Sequence, residues 1–305
     1  MKRFITFFIS LLVCLSFEPA RATMRCDINN DGKVNIFDVI AFLGHLSARF
    51  PIKDAESQYY TLTDHGAILP ASVQTHVILG IPVSDPADIF LQRIGFLASY
   101  NPGNKVSDWV SYKLKKEYVE APALLSGRPF NPDPDIPVEF SAVDDDYTNS
   151  GYDRGHLARE ADMRGRNIYC EFESCFFTNI APQLPGLNRS TWLVLENRVQ
   201  DWAVKYDSVW VFSGPIYEGD AGYIGNRVAV PSHYFKIVSR FSADTLKTLA
   251  FILAQTASSD ELSDYVATVD EIESKTRIDF FHELPDNIEN LVEAQKNELW
   301  PVSDR

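Results

Sequence analysis

The sequence predicts an α+β domain in which antiparallel sheet dominates. Three observations lead there. Short segments rich in Val, Ile, Tyr, Phe and Trp recur along the chain, several of them bounded by Gly or Pro. They do not alternate regularly with helical segments, which argues against a doubly wound parallel fold. One long amphipathic helix stands out late in the chain. Taken in order, strands are expected at Thr75 to Leu79, Val106 to Leu114, Val209 to Gly214, Val228 to Ser239 and Leu246 to Ala254. The helix is expected from Leu187 to Tyr206, where Leu195, Val199, Trp202 and Tyr206 recur at helical spacing behind Pro185-Gly186. A shorter helix is expected from Val269 to Lys275.

The chain has 305 residues, 45% hydrophobic and 12% aromatic, too apolar for a disordered protein and long enough for one full core with a small appendage. Its formal charge is −14, a balance that disfavours a general nucleic-acid coat or a membrane-surface protein but leaves room for a local basic groove. Lys2 and Arg3 precede an apolar run from Phe4 to Phe17, and Ala20-Arg21-Ala22 offers a small-x-small cleavage site. The run is short for a bilayer span. Residues 1–22 are therefore expected to be a signal peptide, and the exported protein to lack a membrane anchor and reside in the periplasm or outside the cell. Its loss removes three basic residues and one acidic one, leaving a formal charge of −16. Either Cys170 and Cys175 then close a short loop, worth roughly 2 kcal/mol, with Cys26 left over, or three thiols stay free; the spacing fits both.

Residues 23–50 hold a calcium-loop pattern. Asp27, Asn29, Asp31, Asn35 and Asp38 fall at positions one, three, five, nine and twelve of an EF-hand-like loop, with Gly32 at six and Lys33 at seven, where a backbone carbonyl serves. Asp38 stands where a longer Glu is usual, so calcium affinity is expected to be modest. The segment resembles a dockerin repeat, but in a single copy. It is expected to bind Ca2+, the other reading being an Asn/Asp-rich turn with no ion; the single copy argues against cohesin-type docking, and a calcium-dependent protein partner goes with the competing reading given below. Residues 51–74, with Pro51 and Pro70, read as a linker, and residues 75–300 as the main domain.

Chemistry concentrates in that domain. His45, His65, His76, His233 and His282 stand among apolar or loop residues and are expected to be packing or surface groups. His156 differs, lying in Tyr152-Asp153-Arg154-Gly155-His156-Leu157, where a neutral imidazole can take a proton from water. Downstream, Thr178-Asn179-Ile180-Ala181-Pro182-Gln183 leads into Leu187-Asn188-Arg189-Ser190-Thr191-Trp192 and Leu195-Glu196. In an α-helix, Asn188 and Glu196 lie roughly 80° apart around the axis and about 12 Å along it. That suits a hard cation held by the Asn188 carbonyl and reached by Glu196 through water. Magnesium is the natural candidate, because it keeps waters and phosphate oxygens in its shell.

The order and spacing of these pieces resemble the DNA/RNA non-specific endonucleases, the ββα-metal family that includes secreted bacterial enzymes and mitochondrial endonuclease G. Ser107 to Lys113, Ser213-Gly214-Pro215-Ile216-Tyr217, Pro231 to Lys236 and Thr268 to Glu273 extend the resemblance over about His76 to Pro285. It implies a ββα-metal element within the α+β domain, and hydrolysis of phosphodiesters in DNA and RNA with a Mg2+ or Mn2+ ion. By position it implies His156 as general base, Asn188 as metal ligand and Glu196 as the water-linked carboxylate. Asn179 would set the site, Arg128 bind phosphate and Arg154 support the site or the substrate strand. Arg159 replaces a common proline, a change expected to have little consequence. Gln200 stands where some members carry a phosphate-contacting arginine, which Arg198 or Arg189 would replace.

At this acidic balance, substrate binding is expected to rely on clustered Arg154, Arg159, Arg164, Arg166, Arg189 and Arg198. The competing reading is a catalytically silent nuclease-like domain that binds a partner through the calcium module. Asp144-Asp145-Asp146 is expected to be an acidic solvated loop rather than the metal cluster of another hydrolase, and no Gly-x-Ser-x-Gly supports a serine hydrolase.

Overall fold

Adjacent strands in the centre of the chain pair antiparallel and build the domain around one sheet. The computed structural model describes residues 76–302 apart from 79, 126, 167, 220, 221, 243 and 244. The signal peptide, the calcium-loop residues Asp27, Asn29, Asp31, Lys33, Asn35 and Asp38, and the linker lie outside the described residues, as does the whole unit Met1–Tyr59. The elements are β1 (Ile89–Gln92), β2 (Leu97–Asn101), β3 (Val106–Lys115), α1 (Lys116–Val119), α2 (Asp144–Tyr147), β4 (Asp153–His156), α3 (Ile168–Glu173) and β5 (Ile180–Gln183). A π-helical turn, Leu187–Thr191, runs into α4 (Trp192–Tyr206). Then follow β6 (Ser208–Ile216), β7 (Tyr223–Ile224), β8 (Val228–Ala229), β9 (His233–Ser242), β10 (Thr245–Ala254), β11 (Val266–Ala267), α5 (Val269–Thr276) and α6 (Asp286–Glu293).

Seven strands form an antiparallel sheet in the order β1-β2-β3-β6-β9-β10-β11. Because side chains alternate across a strand, each central strand feeds two cores. Val110, Tyr112 and Leu114, Val209 and Val211, and Tyr234 and Val238 face one core, which α4 closes with Leu195, Val199 and Trp202. Trp109, Phe212, Phe235 and Ile237 face the other, closed by Val269 and Ile272 of α5 and by Phe280 and Phe281. Both faces of the sheet are thus covered, which is why consecutive residues such as Val209 to Phe212 of β6 and Tyr234-Phe235 and Ile237-Val238 of β9 are apolar. Trp202 stacks on Phe251 at 6.2 Å and donates to the Trp300 carbonyl at 2.9 Å, tying the chain's end to α4. In α5, Thr268 and Glu271 form a reciprocal cap at 3.0 and 2.9 Å.

The fold corrects four expectations. Residues 76–78 are turn and bend rather than strand; Val77 and Ile78 are apolar because they plug the second core. The strand expected from Val228 to Ser239 is split into β8 and β9, with Pro231, which lacks an N–H, at the break. The helix expected from Leu187 begins with a π turn. And Asp144–Asp146 is helical rather than loop: Asp144 and Asp145 are exposed on α2 as expected, but Asp146 is buried and accepts from Val143 N at 2.8 Å and Asn226 N at 2.6 Å. Cys170 and Cys175 are both buried and are not joined in a disulfide. Among the described residues no helix is long and apolar enough to cross a membrane.

Candidate active site

The site is assembled on the face of the sheet that carries α4. Strand β4 pairs only with β5, with Asp153 opposite Gln183, Gly155 opposite Ala181 and His156 opposite Ile180. Gly155 leaves room for the buried Gln183 side chain, whose Oε1 would lie 2.2 Å from an added Cβ. Asn179 locks the two strands at their exit. Its Oδ1 accepts from Ala158 N at 2.8 Å, and its Nδ2 donates to Ala158 O at 2.8 Å and to Ser174 O at 2.7 Å. Its own carbonyl accepts from Leu157 N at 2.9 Å. The fully buried amide is thereby spent on backbone, and it sets the chain that leaves His156 rather than facing a ligand.

His156 is 8% exposed, with the Phe130 ring 5.5 Å away and Cys175 Sγ 4.0 Å from its Nε2. Burial, followed by the nearby Arg128 and Arg159 charges, pulls its pKa down to about 3, so the imidazole is neutral at physiological pH. Burial pushes the Cys175 thiol up to about 12, so it is protonated there. The loop bearing Arg128 is held by Asn131, whose N–H donates to Cys175 O at 3.3 Å and whose carbonyl accepts from Phe177 N at 3.0 Å. Arg128 itself is exposed, its Nε 3.6 Å from Glu160 Oε2. Arg154 pairs with Asp144 at 2.6 Å and lies over the Phe130 and Tyr147 rings.

Asn188 lies in the π turn. Its Nδ2 donates to Asp153 Oδ2 at 3.0 Å, and Arg189 grips the same carboxylate with Nε at 2.7 Å and Nη2 at 2.6 Å. Burial raises the Asp153 pKa, but the Arg189 and Asn188 hydrogen bonds outweigh it and hold it below the usual carboxylate range. The residue that orients Asn188 is therefore Asp153, three positions before His156 on the same strand. The sequence reading passed over it, although it stands within the Asp-Arg-Gly-His motif. The π turn also revises the α-helical spacing expected between Asn188 and Glu196, because its wider ring rotates what precedes it relative to α4.

Glu196 is buried, with Arg159 Nε 3.4 Å from its Oε2. Burial raises its pKa, while the Arg159 and Lys236 charges pull the other way. Arg159 is thus far from inconsequential: it also donates to Asn197 Oδ1 at 3.0 Å, binding the β4 exit loop to α4. Lys236, at the centre of β9, was missed as a site residue. It is 1% exposed, 4.4 Å from the Trp192 ring and 3.3 Å from Ser213 Oγ, and burial lowers its pKa to about 8. A lysine set between Tyr234-Phe235 and Ile237-Val238 was the signal that could have found it.

The expected arginine cluster is mostly paired. Arg154, Arg159, Arg164 and Arg189 each face a carboxylate. Arg166 is spent on packing, with hydrogen bonds to the carbonyls of Asp162 and Lys113 and its guanidinium 4.2 Å from the Tyr118 ring. Gln200 donates to Asp162 Oδ1 at 2.8 Å, so it braces a buried carboxylate that also accepts from Tyr112. His76 and His282 each donate from Nε2 to a backbone carbonyl, of Ile94 and Ile81, and His233 contacts Ser232, consistent with packing and surface roles. For a metal, the donor chemistry fits a hard cation: with Nδ2 committed to Asp153, Asn188 has its carbonyl oxygen to offer, and one protein oxygen plus waters is a usual magnesium arrangement.

The sequence profile of the DNA/RNA non-specific endonucleases matches residues 73–287. A nuclease from Syncephalastrum racemosum is 32% identical over 231 residues, 67% of this chain and 69% of the relative. A nuclease from a Nostoc species is 28% identical over 283 residues, 87% and 97% of the two chains. Bovine mitochondrial endonuclease G is 29% identical over 195 residues, 59% and 65%. A crystal structure of an EndoG/EndoGI complex superposes with a TM-score of 0.63 at 27% identity, covering 72% of this chain and 95% of that one. With the family profile spanning most of the domain and the sheet, His156 and Asn188 placed as described, the chain belongs to the DNA/RNA non-specific endonuclease family.

Proposed function

We propose that this chain is an exported endonuclease that hydrolyses phosphodiester bonds in DNA and RNA with little sequence specificity, with His156 as general base and Asn188 holding a Mg2+ or Mn2+ ion. The observation that carries the reading is the link through Asp153: one short strand bears His156 at its end and, at its start, the carboxylate that orients the Asn188 amide. A proton acceptor and a hard-cation ligand are thereby set by the same rigid segment.

Neutral His156 takes a proton from water as the water oxygen bonds to phosphorus and the bond to the 3′ oxygen breaks, leaving a 5′-phosphate and a 3′-hydroxyl once that oxygen gains a proton from solvent. Arg128, exposed and weakly paired, donates charge-assisted hydrogen bonds to the phosphate. Its engagement there also relieves the positive charge that depresses His156, moving the imidazole toward a more useful basicity. Asn179 acts through backbone position. Glu196, pinned by Arg159, would accept hydrogen bonds from water around the ion. When bound, the ion supplies positive charge opposite the phosphate and the leaving oxygen. Arg154 supports the strand through its pairing with Asp144. Contacts of this kind address phosphate rather than base, which accounts for low sequence specificity.

In the same reading, residues 1–22 direct export to the periplasm or the medium, residues 23–50 bind calcium, and residues 51–74 link them to the nuclease domain. The test is cleavage of supercoiled plasmid and of RNA by the exported protein, with magnesium or EDTA, beside His156→Ala. Metal-dependent cleavage of both, reduced by orders of magnitude in the variant, is expected. Metal-independent cleavage that survives His156→Ala would refute the site. No cleavage by folded, metal-loaded protein would refute the activity. The N-terminal residue of exported protein, read by mass spectrometry, tests cleavage after Ala22.

A further inference from the structure

We propose that Asp270, Glu273 and Glu293 form a second cation site, for a calcium-type hard divalent ion, on the opposite face of the central sheet from His156. Asp270 and Glu273 lie three residues apart on α5 and so share a face, while Glu293 is the last residue of α6. Their carboxylate oxygens lie within 4.8 Å of one another. Two oxygens on opposite sides of one calcium ion, at about 2.4 Å each, are separated by about 4.8 Å, so the set is already within the span of a single coordination sphere.

A second observation points to a ligand. Glu293 is only 6% exposed, and its Oε1 is buried without a hydrogen-bond partner. A buried carboxylate oxygen left so is costly, and natural structures rarely tolerate it without an ion or water. Its position adds to the demand for positive charge, because the C-terminal end of a helix favours cations and disfavours carboxylates. The charged neighbours acting on Glu293 are Glu273, Glu289, Asp270 and Asp279, all acidic. The one basic residue of α5, Lys275, is engaged with Glu218 at 2.5 Å. Glu273 accepts a hydrogen bond from Phe280 N at 2.8 Å, so one backbone donor is what that carboxylate has from the protein backbone. Three carboxylates and several waters suit calcium, whose shell is large and adaptable, better than magnesium. The site would clamp α5 to α6 and thereby seal the second core, in which Val269 and Ile272 are buried.

The alternative relief is a proton shared between Glu273 and Glu293. To separate the two, the full chain carries Asp31→Ala and Asn188→Ala, which remove the other expected ion positions. After dialysis against chelator it is titrated with CaCl2 by calorimetry and melted with and without calcium. One equivalent of bound calcium is expected, at least ten-fold tighter than magnesium, with a rise in Tm of about 5 °C or more at a hundred-fold excess over Kd. Glu293→Gln in that background is expected to abolish both, and Asp270→Asn, on the exposed side, to weaken binding about ten-fold; it serves if Glu293→Gln does not fold. Absence of calcium binding, or binding unchanged in Glu293→Gln and Asp270→Asn, overturns the site. None of these readouts depends on nuclease activity, so this test and that of the active site fail independently.

Discussion

Asn179 offers a sharp test of how the active site is held, because two roles for it predict opposite results. Its amide makes three hydrogen bonds, at 2.8, 2.8 and 2.7 Å, to Ala158 N, Ala158 O and Ser174 O, and it is fully buried. Asn179→Ala orphans three backbone groups. At about 1 kcal/mol net for each bond, and more where a buried group finds no water, the expected loss is about 3–5 kcal/mol. Urea unfolding measures it, with an unchanged m-value showing that the same fold is being lost. Asn179→Asp is the sharper variant. An ion ligand would tolerate or improve on a carboxylate. A backbone clamp would not, since the new oxygen faces the Ala158 and Ser174 carbonyls. We expect the Asp variant to be at least as destabilised as the Ala variant at neutral pH, with partial recovery as acid protonates the introduced group. Stability within about 1 kcal/mol of wild type in either variant would refute the clamp, as would an Asp variant with stronger metal binding and native stability.

Three further outcomes are expected. Because His156 has a folded pKa near 3, below its unfolded value of about 6.5, its contribution to stability is fully present above pH 6.5 and is lost as pH falls toward 3; the stability difference between wild type and His156→Asn should change by up to about 1.4 kcal/mol per pH unit across that window, and a pH-independent difference would contradict it. Arg159→Ala leaves the buried Glu196 with the more distant charge of Lys236, and should cost about 2 kcal/mol in urea unfolding, which magnesium should not restore in an Asn188→Ala background. Gly214→Ala would place a Cβ 2.3 Å from the backbone oxygen of Asp108 and 2.7 Å from the Phe235 ring in the centre of the sheet, so a loss of about 3 kcal/mol or more, or failure to fold, is expected; a soluble variant with native Tm would show that β6 can shift where the packing says it cannot.

Local pattern carried much of this protein. β-rich runs located β3, β6 and β10 to within two residues at each end, because a strand that feeds two cores must be apolar on both faces. Spacing of Leu195, Val199 and Trp202 located α4, and the helix expected from Val269 starts where the structure shows the Thr268–Glu271 cap. The short motif around His156 and the Asn188–Glu196 segment singled out the residues on which the proposed chemistry rests. What the sequence left open were choices of partner between distant positions. Asp153 meets Asn188 thirty-five residues away, and Gln200 meets Asp162 across thirty-eight. Arg159 is drawn to Glu196, Lys236 is buried behind Trp192, and the arginines expected to form a free basic groove are mostly matched with acids. A charged side chain looks alike in sequence whether it faces solvent, phosphate or a buried carboxylate; only packing decides, because only packing sets how much water each group loses and which opposite charge is near enough to replace it.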